Sequence, residues 1–261
     1  EVKRKFFGTL QNIYSFFSLY ANIDSFEYKE AKISIDERPE LDRWILSELN
    51  TLIKKVDDNL ENYELTPAAR DINDFVQEKL SNWYVRLSRR RFWKGEYNND
   101  KVSAYQTLYE CLLNVSKLIS PIAPFYSEHI FQSLNNVTNK EEFESVHIST
   151  FPLSFSDQID TKLENKINQI RNICSLALSI RKKEKIKVRQ PLKKIIIPIK
   201  NEAEKKEIRD AKSQIISEIN VKSIEFLDDK NSLLVKELKP NYKLLGPKYG
   251  KIINDVAKEI K

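Results

Sequence analysis

Residues 41–60 read LDRWILSELNTLIKKVDDNL, and this stretch carries a large apolar side chain at every third or fourth position. The series is Leu41, Ile45, Leu49, Leu52, Val56 and Leu60. Side chains at this spacing lie on one face of an α-helix, because the helix has about 3.6 residues per turn. Pro39 suits the first turn of such a helix, where its missing N–H group is not needed. The stretch therefore predicts a long amphipathic helix with one face turned to a core.

The same spacing recurs on both sides of this stretch throughout the first 150 residues. It predicts a helix around residues 6–20, another that starts at a Thr66-Pro67 cap, and two more over about 100–119 and 125–134. The side chains that the helix after Thr66 turns inward are Ile72, Val76, Leu80, Trp83 and Leu87. Because the links between these helices are short, neighbouring helices are expected to run antiparallel.

After residue 155 the pattern changes from helices alone to helices mixed with strands. The predicted helices are 161–183, 202–219 and a short last one at 252–260; the predicted strands are 194–198, 222–227 and 233–238. The sequence thus predicts a mainly α protein. An antiparallel helical bundle occupies residues 1–155, and a basic linker helix with a small α+β domain occupies residues 156–261.

The net charge of +6 is unevenly divided between these two parts. Residues 1–150 hold 19 Lys and Arg against 23 Asp and Glu, a net charge of −4. Residues 151–261 hold 25 bases against 15 acids, a net charge of +10. Binding to a polyanion is the usual physical reason for such a division, because bases neutralise phosphates and release counterions. A mildly basic, merely solvated domain is the alternative.

The bundle contains one strongly basic stretch, NWYVRLSRRRFWK at residues 82–94, with Gly95 as a plausible helix terminator. Its thirteen residues include five cations, four aromatic residues and no acid. Guanidinium groups bind phosphate oxygens and base edges, and aromatic faces stack on unpaired bases. The stretch therefore suits a single-stranded RNA loop, and its candidate RNA-binding residues are Trp83, Tyr84, Arg86, Arg89, Arg90, Arg91, Trp93 and Lys94. The alternative is a helix whose Trp83 and Leu87 face the core, with solvated arginines.

A second basic cluster, residues 181–194, contains a single acid. Its first bases end a helix, where cations also complement the helix dipole, so part of the cluster has a structural explanation. Lys185, Lys187 and Arg189 are the candidate RNA-binding residues of this cluster. A third segment, residues 239–251, interleaves Tyr with Lys and holds two of the four glycines, and it is interpreted as a rigid loop.

Several classes of function are disfavoured by the composition. No apolar run approaches the roughly 20 residues of a membrane span, and no signal peptide is visible, which favours the cytoplasm. Two cysteines, Cys111 and Cys174, cannot complete a zinc site or a disulfide framework, and His129 and His147 have no ligands at metal-binding spacing. Neither a catalytic residue nor a metal site is predicted. The chain starts with Glu and has 0 Met, so we expect a piece of a larger protein.

Four segments resemble a known family. The runs at 41–49 (LDRWILSEL), 81–93 (SNWYVRLSRRRFW) and 118–125 (LISPIAPF) resemble the anticodon-binding helical bundle of class I aminoacyl-tRNA synthetases. Within that family the isoleucyl enzymes are the most similar. Residues 187–192 (KVRQPL) and 239–246 (KPNYKLLG) resemble the C-terminal region of the longer, eukaryote-like isoleucyl type.

The resemblance implies the tRNA-binding part of an ATP-dependent ligase, with the anticodon stem-loop of isoleucine tRNA and the rest of the synthetase chain as partners. It implies no cofactor in this part, since ATP and Mg²⁺ would bind in the catalytic domain, whose HIGH and KMSKS signatures are absent here. We expect both basic clusters to hold one loop, in a monomer. Alternatives are the same module of a valyl or leucyl enzyme, a helical protein-interaction domain with a basic tail, and, remotely, a hydrolase using Cys111.

Overall fold

Helices dominate the part of the chain that the computed structural model describes, which is residues 3–94, 96–199, 201–227 and 250. The α-helices are α1 (Gly8–Asp24), α2 (Glu40–Glu61), α3 (Leu65–Asp74), α4 (Arg86–Trp93), α5 (Asn99–Ile119), α6 (Pro124–Thr138), α7 (Thr161–Lys183), α8 (Glu202–Asp210) and α9 (Lys212–Ile219). Two strands, β1 (Ile195–Pro198) and β2 (Ile224–Leu227), form a parallel pair. The prediction of a mainly α protein is confirmed.

Some sequence-based predictions lie outside the described residues. They are the strand at 233–238, the last helix at 252–260, the loop at 239–251 apart from Gly250, and Gly95 as a helix terminator.

The chain divides into two compact units, Glu1–Ile167 and Asn168–Lys261. The division falls inside α7, later than the predicted boundary after residue 155. The reason is local, because the start of α7 is held by the first unit. Glu164 accepts hydrogen bonds from the hydroxyls of Ser47 (2.6 Å) and Thr51 (2.8 Å) on α2.

Helix α5 lies at the centre of the first unit and packs against α1, α2, α3, α4 and α6. Most of its residues are buried on every side, as expected for a helix without a polar face. Some of its buried polar side chains are satisfied by the loop between α1 and α2. The Gln106 side chain accepts from the Ile33 N–H and donates to the Ala31 carbonyl, each at 2.9 Å.

The predicted apolar stripe of α2 is buried over its middle turns. Ile45, Leu49, Leu52 and Val56 are each at most 4% exposed. The burial extends beyond this stripe to Trp44, which is fully buried. Helix α2 therefore contributes more than one face to the core, which spacing along one stripe does not reveal.

Residues 65–93 form one unbroken helical run. Helix α3 passes into a π-helical segment, Phe75–Val85, and this segment passes into α4 with right-handed helical backbone angles at each junction. The run begins at Leu65, one residue before the predicted cap. Glu64 occupies the N-cap position without a side-chain hydrogen bond, so Thr66 belongs to the first turn and does not cap the helix.

In the second unit, β1 and β2 pair in parallel with Ile195 opposite Ile224. Parallel strands need a crossover connection, and α8 with α9 provides it. The single helix predicted at 202–219 is observed as two helices, which are separated at Ala211 (φ −89°, ψ 9°). The buried apolar side chains of this unit include Ile197, Ile199, Ile208, Ile215 and Ile219.

Candidate nucleic-acid interface

Helix α4 presents a basic and aromatic face to solvent. Arg86, Arg89, Arg90 and Trp93 are all exposed, and their spacing of three, four and seven positions places them on one side of the helix. The Trp93 side chain is 57% exposed, which is unusual for so large an aromatic residue. We call these four residues the α4 face.

The opposite side of α4 is buried and explains why the helix adopts this rotation. Phe92 is 1% exposed and makes edge-to-face contacts with Phe16 and Tyr105, at centroid distances of 5.1 and 5.0 Å. Ser88 is fully buried on the same side. Apolar contacts of this kind hold the helix against the core and leave the α4 face in water.

The cations of the α4 face and the adjoining Lys94 differ in how firmly they are held. Arg86 donates through Nε to the carbonyl oxygen of Asn82 at 2.7 Å. Within the described part of the chain, the side chains of Arg89, Arg90 and Lys94 make no hydrogen bond or ion pair. These three cations are therefore available to an anionic ligand at no cost in broken ion pairs.

Two aromatic residues of the predicted set do not face solvent. Tyr84 is fully buried, and its hydroxyl donates to Asp42 Oδ1 at 3.0 Å. Burial, reinforced by the charge of Asp42, raises the pKa of Tyr84. Trp83 is 4% exposed, with the Arg86 guanidinium carbon 5.6 Å from its ring centroid. The interpretation of Tyr84 and Trp83 as stacking faces is corrected, since neither ring is open to a base, whereas Trp93 is exposed and its role stays a prediction.

Arg91 is also reassigned. Its Nη1 donates to Asp42 Oδ1 at 2.6 Å, and its Nη2 donates to Asp42 Oδ2 at 2.8 Å, so the fork is filled. Its Nε donates to Asp100 Oδ2 at 3.0 Å. Burial alone lowers the pKa of Arg91, but the hydrogen bonds and charge of Asp42 outweigh burial and raise it. Four of its five N–H groups therefore bind Asp42 and Asp100, so Arg91 is a structural residue and its interpretation as an RNA-binding residue is corrected.

The second unit carries its basic residues on a tight turn after α7. Lys185 has a left-handed backbone (φ 56°), its N–H donates to the Lys182 carbonyl at 3.2 Å, and the Ile186 N–H donates to the Arg181 carbonyl at 2.8 Å. These two bonds define a Schellman motif, in which glycine is the usual residue at the left-handed position. Lys185, Lys187 and Arg189 are exposed.

Arg181 holds this turn from beneath. It is 3% exposed, and its guanidinium donates to the carbonyl oxygens of Lys187 (3.3 Å), Gln190 (3.0 Å) and Asn220 (2.8 Å). The basic cluster therefore combines a structural arginine with exposed cations, as its helix-ending position suggested. Charge does not distinguish Arg181 from its neighbours Lys182 and Lys183, so only the structure shows that Arg181 is the buried member.

Catalytic chemistry finds little support in the described residues. Cys111 is fully buried, and burial, followed by the charge of Glu110, raises the pKa of its thiol. A buried thiol with a raised pKa is a poor nucleophile. In the described ranges, no three or more His, Cys, Asp or Glu side chains are grouped to bind a metal ion.

The chain matches a known protein family over most of the residues described above. The family described as the anticodon-binding domain of tRNA ligase matches residues 42–197, more than half of the chain, and this stretch includes α4 and the turn after α7. The chain belongs to this family. An exposed row of arginines with a tryptophan is chemically suited to a looped single strand of RNA.

Relatives of the whole chain bear one name. The isoleucine–tRNA ligase of Bacteroides thetaiotaomicron is 52% identical over 257 residues, 98% of this chain and 22% of the relative. Those of Porphyromonas gingivalis (51% identical, 22% of its length) and Cytophaga hutchinsonii (50% identical, 23% of its length) match the whole chain. The chain thus spans about a fifth of the length of these relatives.

Within the described residues, no helix combines the length and apolar character that crossing a bilayer requires.

Proposed function

We propose that this chain is the part of an isoleucine–tRNA ligase that binds the anticodon stem-loop of isoleucine tRNA. The observation that carries the proposal is the α4 face, a row of three arginines and one tryptophan that are all exposed within the family's anticodon-binding domain. Names of relatives that match 98–100% of the chain support isoleucine over valine or leucine.

The residues of the α4 face take different tasks in this proposal. Arg89 and Arg90, without partners among the described residues, bind loop phosphates or the edges of bases. Trp93 stacks on an unpaired base, which is worth about 1–3 kcal/mol per base in single-strand complexes. Arg86 and Lys94 add charge at the two ends of the row.

The exposed cations of the second unit, Lys185, Lys187 and Arg189, contribute to the same RNA. Whether both clusters hold one loop stays a prediction, and a double-mutant cycle tests it. If both clusters hold one loop and either substitution rearranges it, the loss of affinity in the Arg89→Ala, Lys187→Ala double variant should differ from the sum of the two single losses. Additive losses would show only that the two contacts are energetically uncoupled. Binding of two stem-loops per chain would indicate two independent sites.

The chain contributes recognition and orientation to the proposed ligase, while ATP and Mg²⁺ bind in the remaining four-fifths of the longer protein. Fixing the anticodon end of the tRNA places its acceptor end for reaction, which lowers the entropic part of the barrier. The proposal therefore includes no catalytic residue in this chain.

The test is a titration of the chain with isoleucine tRNA and with the same tRNA carrying a changed anticodon, at two salt concentrations. Specific recognition predicts tighter binding of the unchanged tRNA at both. Equal affinity for the two would reduce the chain to a nonspecific basic domain. Salt-insensitive binding of a protein with no affinity for tRNA would favour the alternative of a protein-interaction domain.

Variants assign the effect to the α4 face. Arg89→Ala or Arg90→Ala should cost about 1–3 kcal/mol and relax discrimination at one nucleotide if the arginine reads a base. If it binds a phosphate, affinity falls for all RNAs and the salt slope decreases by about one. Arg70→Ala is the matched control, because Arg70 is an exposed arginine near the start of the same helical run.

A further inference from the structure

A buried carboxylate lies directly behind the α4 face. Asp42, in the first turn of α2, is fully buried and accepts hydrogen bonds from three elements. Tyr84 donates from the π-helical segment (3.0 Å), Arg91 donates from α4 (2.6 and 2.8 Å), and Ser103 donates from α5 (2.6 Å). We call Asp42, Tyr84, Arg91 and Ser103 the Asp42 cluster.

The cluster adds a polar constraint to the rotation that the helical run of residues 65–93 and the apolar contacts of Phe92 already give α4. An ionised carboxylate in the core is tolerated only when its oxygens are paired, so Asp42 is satisfied in one arrangement of its neighbours. Arg91 is adjacent in sequence to Arg90, and successive residues on a helix point about 100° apart. The apolar contacts of Phe92 would tolerate small rotations, whereas the filled Arg91–Asp42 fork would not.

A second contact holds the same arginine from the side of α5. Arg91 donates through Nε to Asp100 Oδ2 (3.0 Å) and through Nη2 to the Asp100 carbonyl (2.8 Å). The guanidinium of Arg91 therefore links α4 to the first turn of α2 through Asp42 and to the first turn of α5 through Asp100. The Asp100 side chain is half exposed, whereas the Arg91 side chain is 17% exposed and its bonds to the fully buried Asp42 are shielded from water and salt.

We propose that Asp42 and Arg91 are positioning residues for RNA recognition, which hold α4 at the rotation where Arg89 and Arg90 reach the loop. The proposal rests on the proposed function and concerns how specificity is produced. Neither residue contacts RNA. Their loss is expected to blur the choice between anticodons more than it weakens overall attraction to RNA.

Two single variants test this with charge changes that separate the explanations. Arg91→Lys keeps the net charge but removes the two-pronged contact. Asp42→Asn raises the net charge by one, which by itself strengthens attraction to any RNA. Both are expected to lower discrimination between isoleucine tRNA and the changed-anticodon tRNA by about tenfold, in the range for one lost bidentate base contact. The salt slope of binding stays unchanged in Arg91→Lys.

Matched controls exclude general effects of charge and of the substitution type. Arg70→Lys makes the same change at an exposed arginine, and Asp57→Asn makes the same change at an exposed aspartate of α2. Both should retain the discrimination of the unaltered chain. All measurements are made where circular dichroism shows each variant to be folded.

Several outcomes would overturn the proposal. If Arg91→Lys and Asp42→Asn unfold more easily yet discriminate as well as the unaltered chain, the cluster serves stability alone. If the salt slope falls in Arg91→Lys, Arg91 contacts phosphate itself. Because breaking a buried ion pair is strongly destabilising, Ser103→Ala provides a milder variant that removes one donor and should lower discrimination less. Failure of the unaltered chain to discriminate would instead refute the proposed function.

Discussion

Replacing Lys185 by Gly is expected to stabilise the protein while weakening its binding to RNA. Lys185 is exposed and occupies the left-handed position of the Schellman motif (φ 56°). A left-handed backbone costs an L-residue about 1–2 kcal/mol, and glycine avoids this cost. Glycine loses about 0.5–1 kcal/mol more conformational entropy on folding. The difference predicts a gain of about 0.5–1 kcal/mol for Lys185→Gly.

The variant Lys185→Ala separates the effect of the backbone conformation on stability from the effect of the lost charge. Both variants remove the same cation, which changes dipole stabilisation at the end of α7 and repulsion from neighbouring bases equally. Only glycine also relieves the backbone, so the free energy of unfolding should be higher in Lys185→Gly than in Lys185→Ala by about 0.5–1 kcal/mol. Their affinities for tRNA should be equal and lower than that of the unaltered chain.

The assay is denaturant unfolding followed by circular dichroism, with tRNA titration of the same samples. Tryptophan fluorescence gives an internal reference, because Trp44, Trp83 and Trp93 all lie in the first unit. A stability for Lys185→Gly equal to or below that of Lys185→Ala would refute the left-handed turn. Unchanged tRNA affinity in both variants would remove Lys185 from the interface.

Three further outcomes follow from buried groups. Arg181→Met should destabilise the second unit by about 2–4 kcal/mol, because three backbone carbonyls lose a charged donor. Amide hydrogen exchange over residues 186–190 should then become faster. Unchanged exchange would contradict the role of Arg181. Cys111 should resist alkylation in the native state and react once denaturant is added, as mass spectrometry of peptides can show; rapid native labelling would contradict its burial. Burial raises the pKa of Tyr109 from 10.0 to about 12. Its contribution to stability should be complete below pH 10 and lost as the pH rises towards 12, so Tyr109→Phe should flatten that part of the pH dependence of unfolding.

Much of the first unit was predictable because the apolar spacing that indicates each helix lies within that helix's own residues. Apolar spacing located α5 and α6 to within a few residues, and α7 was predicted over 161–183 as observed. The break at Ala211 was not predictable in this way, since the apolar pattern continues across it. Helices α8 and α9 lie in the crossover between β1 and β2, and the pairing of these distant strands is not visible in local apolar spacing.

The candidate site shows a similar division. The sequence located the basic stretch at 82–94 and named Arg89, Arg90 and Trp93, which are exposed. It also named Tyr84 and Arg91, which are buried or paired. Arg90 and Arg91 have the same residue type but point about 100° apart on the helix, and only the structure shows that Asp42 lies beside Arg91.

The amino-acid sequence by itself determined the helical class, the two basic clusters and the likeness to anticodon-binding domains, because periodicity, charge and motifs are properties of neighbouring residues. Tertiary structure alone decided that Arg91 is paired with a buried carboxylate while its neighbour Arg90 is exposed. Asp42 and Arg91 are far apart in the chain but 2.6 Å apart in space. Burial and pairing depend on contacts between such distant segments. Asp42 pairs with Arg91 because the packing of the helices places that arginine beside the buried carboxylate.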